Sequence, residues 1–268
     1  VESPRRRHVK NIRHVERRSR FSYQCNQCGR CCHDQVISLA PYDVLRLARA
    51  AGLSTGEAVA KYTIRRGSIL KFNQDGACTA LDGTKCTVHS GQPLACRLYP
   101  LGLEYSEKGA ESYLRLEPVE RSRGIYGEDG TVSSFLSAQD TESYLQMNRR
   151  YTSLLPAFRR RIHQLADFDV IEPREFWRVA IREALAETNF DFNPIVAVLF
   201  APDSIGNRED PEVDQVNGHI RYIEQQIHGE HDPTILAVAA ILLAVSLGYS
   251  PNVVILSEHG AYKSISLP

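Results

Sequence analysis

Seven cysteines, all placed before residue 97, constrain this 268-residue chain more than any other feature. Four fall within eight residues, Cys25-x-x-Cys28-x-x-Cys31-Cys32, and the others follow at Cys78, Cys86 and Cys96. An odd count confined to one end argues against a disulfide framework, and a chain of this length can build a core without staples. Reduced, metal-binding thiolates in a cytoplasmic protein fit the pattern better. Two residues between thiolates let one turn of backbone bring both sulfurs to a single ion or cluster, and three such positions in register match a ferredoxin loop. We therefore expect Cys25, Cys28, Cys31, Cys32, Cys78, Cys86 and Cys96 to share one neighbourhood, most of them as metal ligands. Adjacent side chains leave the backbone in different directions, so Cys32 is not expected to ligate the same atom as Cys31. Seven thiolates also exceed the needs of one [4Fe–4S] cluster or one zinc ion, which points to two metals or to a cluster with an extra thiolate beside it.

Other side chains near the cysteines have two readings each. His33, Asp34 and His89 are the non-sulfur candidates for a second site, although each reads first as a surface residue or as one that only touches a ligand. Arg97 and Tyr99 flank Cys96. Arg97 would offset thiolate charge and Tyr99 would donate to a sulfur, unless both only peg the turn at Pro100. Gly29 leaves room for backbone amides to approach the sulfurs. Spacing does not separate iron–sulfur from zinc, because both take thiolates tetrahedrally. The ferredoxin-like triple and the surplus of thiolates favour a cluster, 4Fe-4S in type, with zinc as the alternative.

Local signals place the cysteines on short elements. A helix is expected from Pro41, with Val44, Leu45 and Ala48 on one face and Gly52 as its stop. Ser54 and Glu57 form a capping box for a second helix. Asp82-Gly83, between Cys78 and Cys86, signals a hairpin turn. Pro93 to Arg97 reads as a short helical turn, and the alternation at Leu101, Leu103, Tyr105, Leu114 and Leu116 as a second hairpin. Residues 121–131, rich in Gly and charge, are the expected domain boundary. Beyond it, helical patterning covers about 139–165, 174–188, 211–228 and 233–247. The stripe Val213, Val216, Ile220, Ile223 and Ile227 is the clearest, and a short strand is expected at Asn252–Leu256. Phe176 and Trp177 read as core. His163, His219, His228 and His231 lack metal spacing and read as surface or capping residues.

The fold class expected is thus α+β: a small cysteine-rich metal-binding domain (21–120), preceded by a basic arm (1–20) and followed by a mainly helical half (132–268). The arm carries eight Arg or Lys against two acids, although the net charge of the chain is zero. It reads as an exposed, poorly ordered segment that docks a protein partner. Aromatics do not interleave its cations, which disfavours nucleic acid. The apolar run Ile235–Val245 is too short for a membrane span and reads as a buried helix. No signal peptide, Ser-His-Asp order, P-loop or dinucleotide fingerprint is recognisable. The helical half, with its own apolar stripe, is expected to survive metal removal that unfolds 21–120.

The cysteine pattern also resembles a known family. Cys25-x-x-Cys28-Gly-x-Cys31-Cys32, then Cys78, Cys86 and Pro93-Leu94-Ala95-Cys96-Arg97-Leu98-Tyr99-Pro100, is similar to the YkgJ-type cysteine-cluster (CxxCxxCC) family. Pro41 to Ala48 matches a subset of it, and Gln92 stands where Arg is common. The resemblance covers about residues 21–120. It implies a zinc- or iron-chelating protein, often described as an iron–sulfur oxidoreductase. The expected function is an iron–sulfur protein with a redox (electron-transfer) or structural role, working with a protein partner. The alternatives are an enzyme using an open cluster position and a zinc-binding assembly subunit.

Overall fold

The computed structural model describes residues 13–106, 108–117, 122–186, 194–202, 210–250 and Val254. The cysteine-bearing part runs β1 (Arg13–Val15), β2 (Arg20–Gln24), α1 (Pro41–Ala51), α2 (Thr55–Tyr62), β3 (Thr63–Ile64), β4 (Ile69–Leu70), β5 (Leu81–Asp82), β6 (Lys85–Cys86), α3 (Leu94–Leu98), β7 (Leu101–Tyr105), β8 (Glu111–Arg115) and β9 (Ile125–Thr131). Helices follow: α4 (Val132–Ala138), α5 (Glu142–Tyr151), α6 (Leu154–Leu165), α7 (Pro173–Leu185), α8 (Pro194–Val198), α9 (Glu212–Ile227) and α10 (Pro233–Ser246). Short strands with helices, then a mainly helical half, make the α+β class expected from the sequence.

Most helix ends obey local chemistry. Pro41 opens α1 and Gly52, at φ 71°, closes it. Ser54 Oγ accepts from Glu57 N at 3.2 Å while Glu57 Oε2 accepts from Ser54 N at 2.8 Å, the expected box; losing such a cap costs about 1 kcal/mol. Asp232 caps α10 through Thr234 N at 2.7 Å. The α9 stripe buries Val216, Ile220, Ile223 and Ile227, with Val213 partly buried. Leu236 to Ala244 of α10 are buried against α6, α7 and α8. Among the described residues, no helix is long and apolar enough to cross a membrane.

Several expectations need correction. Residues 13–20 are not a loose arm: β1 pairs antiparallel with β8, which pairs with β7. Arg17 Nε bonds Glu111 Oε1 at 2.8 Å, so its charge is used inside the fold. Residues 1–12 lie outside the described residues. The expected boundary at 121–131 holds a strand, β9, antiparallel to β2 with a register shift between Arg20 and Ser22. Its glycines are not turn markers. A Cβ on Gly124 would stand 2.1 Å from Tyr23 Oη, so glycine makes room for the facing strand's side chain. The helical segment 139–165 divides into α5 and α6 at Thr152–Ser153. The strand expected at Asn252–Leu256 lies outside the described residues apart from Val254, which is buried. His219 is fully buried, not at the surface. Its Nε2 lies 2.8 Å from the Val198 carbonyl and must donate there, which leaves Nδ1 to accept from Tyr151 Oη at 2.8 Å.

The two halves share one core, running from Phe21 through α1 to Val254. Tyr42 of α1 packs edge-on against Tyr144 of α5, centroids 5.1 Å apart, and donates to Glu212 Oε2 of α9 at 2.5 Å. Arg49 reaches Glu212 Oε1 at 3.2 Å and the Asp210 carbonyl at 2.7 Å. Tyr105 stacks on Tyr249 at 4.8 Å. The helices are therefore the wall on which the cysteine-bearing segments are mounted.

Candidate metal centre

The loop after β2 carries the first four cysteines. A single 3-10 turn, Arg30–Cys32, ends it, with Cys32 N bonded to Gly29 O at 3.0 Å. The next residues lie along a distant segment: Cys78 N donates to Cys32 O at 2.9 Å, Asp34 N to Gly76 O at 2.9 Å, and His33 opposes Ala77. Backbone pairing thus fixes Cys32 beside Cys78. Cys78 leads into the β5–β6 hairpin, where Cys86 sits opposite Leu81 and Leu81 N bonds Cys78 O at 2.9 Å. The chain then turns at His89–Gly91 against α1. A Cβ on Gly91 would stand 2.1 Å from the Arg46 carbonyl, so only glycine allows this approach. The turn delivers α3, with Cys96 N bonded to Pro93 O at 2.9 Å.

All seven cysteines are free: Cys25 exposed, Cys78 buried, the other five between. The electrostatics show who faces whom. Cys96 is pushed up by burial and then by Cys78, Cys86, Cys31 and Asp43. Cys78 is raised by burial and by Cys86. The interaction between the Cys31 and Cys32 thiols lowers Cys31 and raises Cys32; burial, Cys31, Cys96 and Cys78 raise Cys32 further. Cys31, Cys32, Cys78, Cys86 and Cys96 therefore lie within electrostatic reach of one another as a group. The adjacent thiols of Cys31 and Cys32 act on each other electrostatically, although adjacent side chains were expected to diverge. Cys28 is within electrostatic reach of Cys31, and Tyr23 senses both Cys25 and Cys31, so the outer thiols border the same group.

Backbone amides point at the sulfurs. Gln27 N donates to Cys25 Sγ at 3.4 Å and Arg123 N to Cys28 Sγ at 3.5 Å. The Cys28 thiol is lowered chiefly by the Arg123 amide, with a contribution from the amide of Arg30; amides of Ala80 and Val88 serve Cys78 and Cys86. Cys25, Cys28, Cys78 and Cys86 each accept from the amide two residues on. Such bonds favour the thiolate over the thiol.

The flanking candidates do other things. Arg97 donates to three carbonyls, Ser90 at 2.7 Å, Gln139 at 2.9 Å and Gln92 at 3.2 Å, and lies 5.0 Å over the Tyr144 ring. It fastens the turn before Cys96. Tyr99 packs edge-on against Tyr23 at 5.8 Å, forming an aromatic wall beside the loop. His33 Nδ1 lies 2.9 Å from Gly29 O, His89 is exposed in its turn, and Asp34 is exposed. Asp43 was missed by the sequence reading. It is 2% exposed; Oδ2 accepts from Ala40 N and Oδ1 from Leu94 N, both at 2.7 Å. Burial pushes its carboxyl up to about 6 against the opposing pull of those amides. The only signal was an acid three residues after Ala40 at the head of a Pro-started helix.

Among the described residues, no three His, Cys, Asp or Glu side chains stand in a finished ligand arrangement. The chemistry of the donors nevertheless fits a thiophilic metal: neighbouring thiols that repel one another once ionised, a repulsion that a cation removes. No curated protein and no solved structure matches this chain. Residues 24–115, the stretch that holds all seven cysteines, match the model of the CxxCxxCC family, described as "Putative zinc- or iron-chelating domain".

Proposed function

We propose that Cys25, Cys28, Cys31, Cys32, Cys78, Cys86 and Cys96 supply the ligands of an iron–sulfur centre, and that the protein has a redox or structural role exercised with a protein partner. The backbone pairing that brings Cys32 beside Cys78, with Cys31, Cys86 and Cys96 within electrostatic reach from separate chain segments, supports this reading. A bound cluster would supply electron storage and Lewis acidity. The chain's own part is to hold thiolates, aim amides at four sulfurs and wall one side with Tyr23 and Tyr99. Cys31, Cys32, Cys78, Cys86 and Cys96 form an inner set, and Cys25 and Cys28 an outer set on the exposed loop. That division supports more than one metal position.

The test is anaerobic purification followed by iron, acid-labile sulfide and zinc analysis with a visible spectrum. Iron and sulfide in equal amounts with sulfur-to-iron charge-transfer absorption support the proposal. A colourless protein with stoichiometric zinc replaces it with the structural zinc reading, for which four of the inner thiols suffice by donor number. Absence of both metals, after reconstitution, rejects a metal centre.

A further inference from the structure

We propose that Asp43 is a positioning residue for this centre: its buried carboxylate holds Cys96 among the other thiols by bonding the amide at the head of the Cys96 helix. The inference deepens the metal-centre reading and rests on it for its spectroscopic arm alone. Asp43 is the third residue of α1, yet its two oxygens serve two helices 51 positions apart in sequence: Oδ2 takes Ala40 N, and Oδ1 takes Leu94 N. The start of α3 has no side-chain cap from its own segment, and Pro93 before it has no N–H to anchor. Cys96 lies two residues beyond Leu94. Arg97 and Tyr144 secure carbonyls of the preceding turn, at Ser90 and Gln92, and Arg97 also that of Gln139 after α4, whereas Asp43 holds an amide of α3 itself.

The plainer explanation is that Asp43 only closes the α1 capping box. The protein shows that a box does not need this residue. In α4 the same position is Ser134, whose shorter side chain accepts from Thr131 N at 2.9 Å. A serine would satisfy α1, but it has no second oxygen to reach Leu94. The contact with α3 is what the carboxylate adds.

That difference supplies the experiment, carried out on the full chain. Asp43→Ser keeps the α1 cap and removes the bridge; Asp43→Asn keeps the shape and loses one of the two acceptors; Leu45→Ala, in the buried face of α1, calibrates general loosening. The first readout needs no metal: iodoacetamide labelling of reduced apoprotein, with rates read cysteine by cysteine by mass mapping. Asp43→Ser should raise the Cys96 rate about tenfold and leave Cys25 unchanged. The second is cobalt(II) loading, where thiolate-to-cobalt absorption of Asp43→Ser should fall to that of Cys96→Ser. An unchanged Cys96 rate in folded Asp43→Ser overturns the proposal. So does a rise shared by all the cysteines as in Leu45→Ala, or unfolding of both Asp43 variants, which would make the carboxylate a general folding residue. If wild type shows no thiolate-to-cobalt absorption, the metal reading fails, and the labelling rates still decide the role of Asp43.

Discussion

The outer loop and the inner cysteines use the same residue type on very different mountings. Cys25 and Cys28 sit on irregular backbone, and the bonds their sulfurs accept come from Gln27, Arg30 and Arg123 in exposed loops. Cys78 is tied by backbone pairing to Cys32, Cys86 by a hairpin, and Cys96 by a helix bolted to α1 and to the turn after α4. A ligand fixed by the core pays its ordering entropy during folding, whereas a loop ligand is ordered only when metal binds. On the proposed metal-centre reading, the inner set would retain metal and the outer set would adjust around it.

The largest expected effect breaks this contrast directly. Cys78→Ser and Cys96→Ser should each raise the rate of metal loss to a chelator about tenfold or more above that of Cys25→Ser. Equal rates for all three would erase the inner–outer distinction. Metal removal gives the second test. With one shared core, chelation should strip hydrogen-exchange protection from 25–33 and 76–88 and leave α1 and α10 protected. Loss of protection across α1 together with the loops would restore the older expectation of a metal-dependent domain beside an independent helical half.

Packing under Cys96 predicts a smaller effect with a sign control. Gly91→Ala should destabilise by about 2–3 kcal/mol in urea titrations, because its Cβ meets the Arg46 backbone. Gly56→Ala, in α2 with nothing within 4 Å, should stabilise by about 0.5 kcal/mol. Like signs would show that the turn at Gly91 has slack. The smallest effect lies in the frame away from sulfur. Burial alone would raise the Glu111 carboxyl, but hydrogen bonds from Arg17, Tyr113 and Arg149 outweigh it and hold it below the ordinary value of 4.5. Its folded state binds the proton less tightly than the unfolded chain. That stabilisation is therefore present above pH 4.5 and lost as pH falls through the lower folded value. Glu111→Gln should be less stable than wild type at pH 7, with the gap closing as the pH drops below 4.5; a constant gap would remove Glu111 from the acid response.

Legibility followed the range of the interaction. The Ser54–Glu57 box, the Asp82-Gly83 turn, the Pro41 helix start and the α9 stripe were read correctly because each depends on residues within one or two turns. The same rules misread Gly124 and Gly127 as signs of a boundary. Their small size answers Tyr23 and Ser22 on a strand a hundred residues away in sequence. His219 was missed because it occupies the α9 stripe between Val216 and Ile220, where a polar side chain needs partners, Tyr151 and Val198, that only packing supplies.

What the sequence by itself determined is the chemistry: seven thiols in a spacing that suits metal, short elements to carry them, and helices behind. Spacing acts through the backbone over a few residues, so it is readable without coordinates. Only the tertiary structure decided that Arg13–Val15 form a sheet strand, that both halves share one core, that Arg97 fastens carbonyls, and that Asp43 joins two helix starts. Those contacts link residues distant in sequence, and what selects among them is the exclusion of water from a common interior together with the pairing of every polar group carried into it.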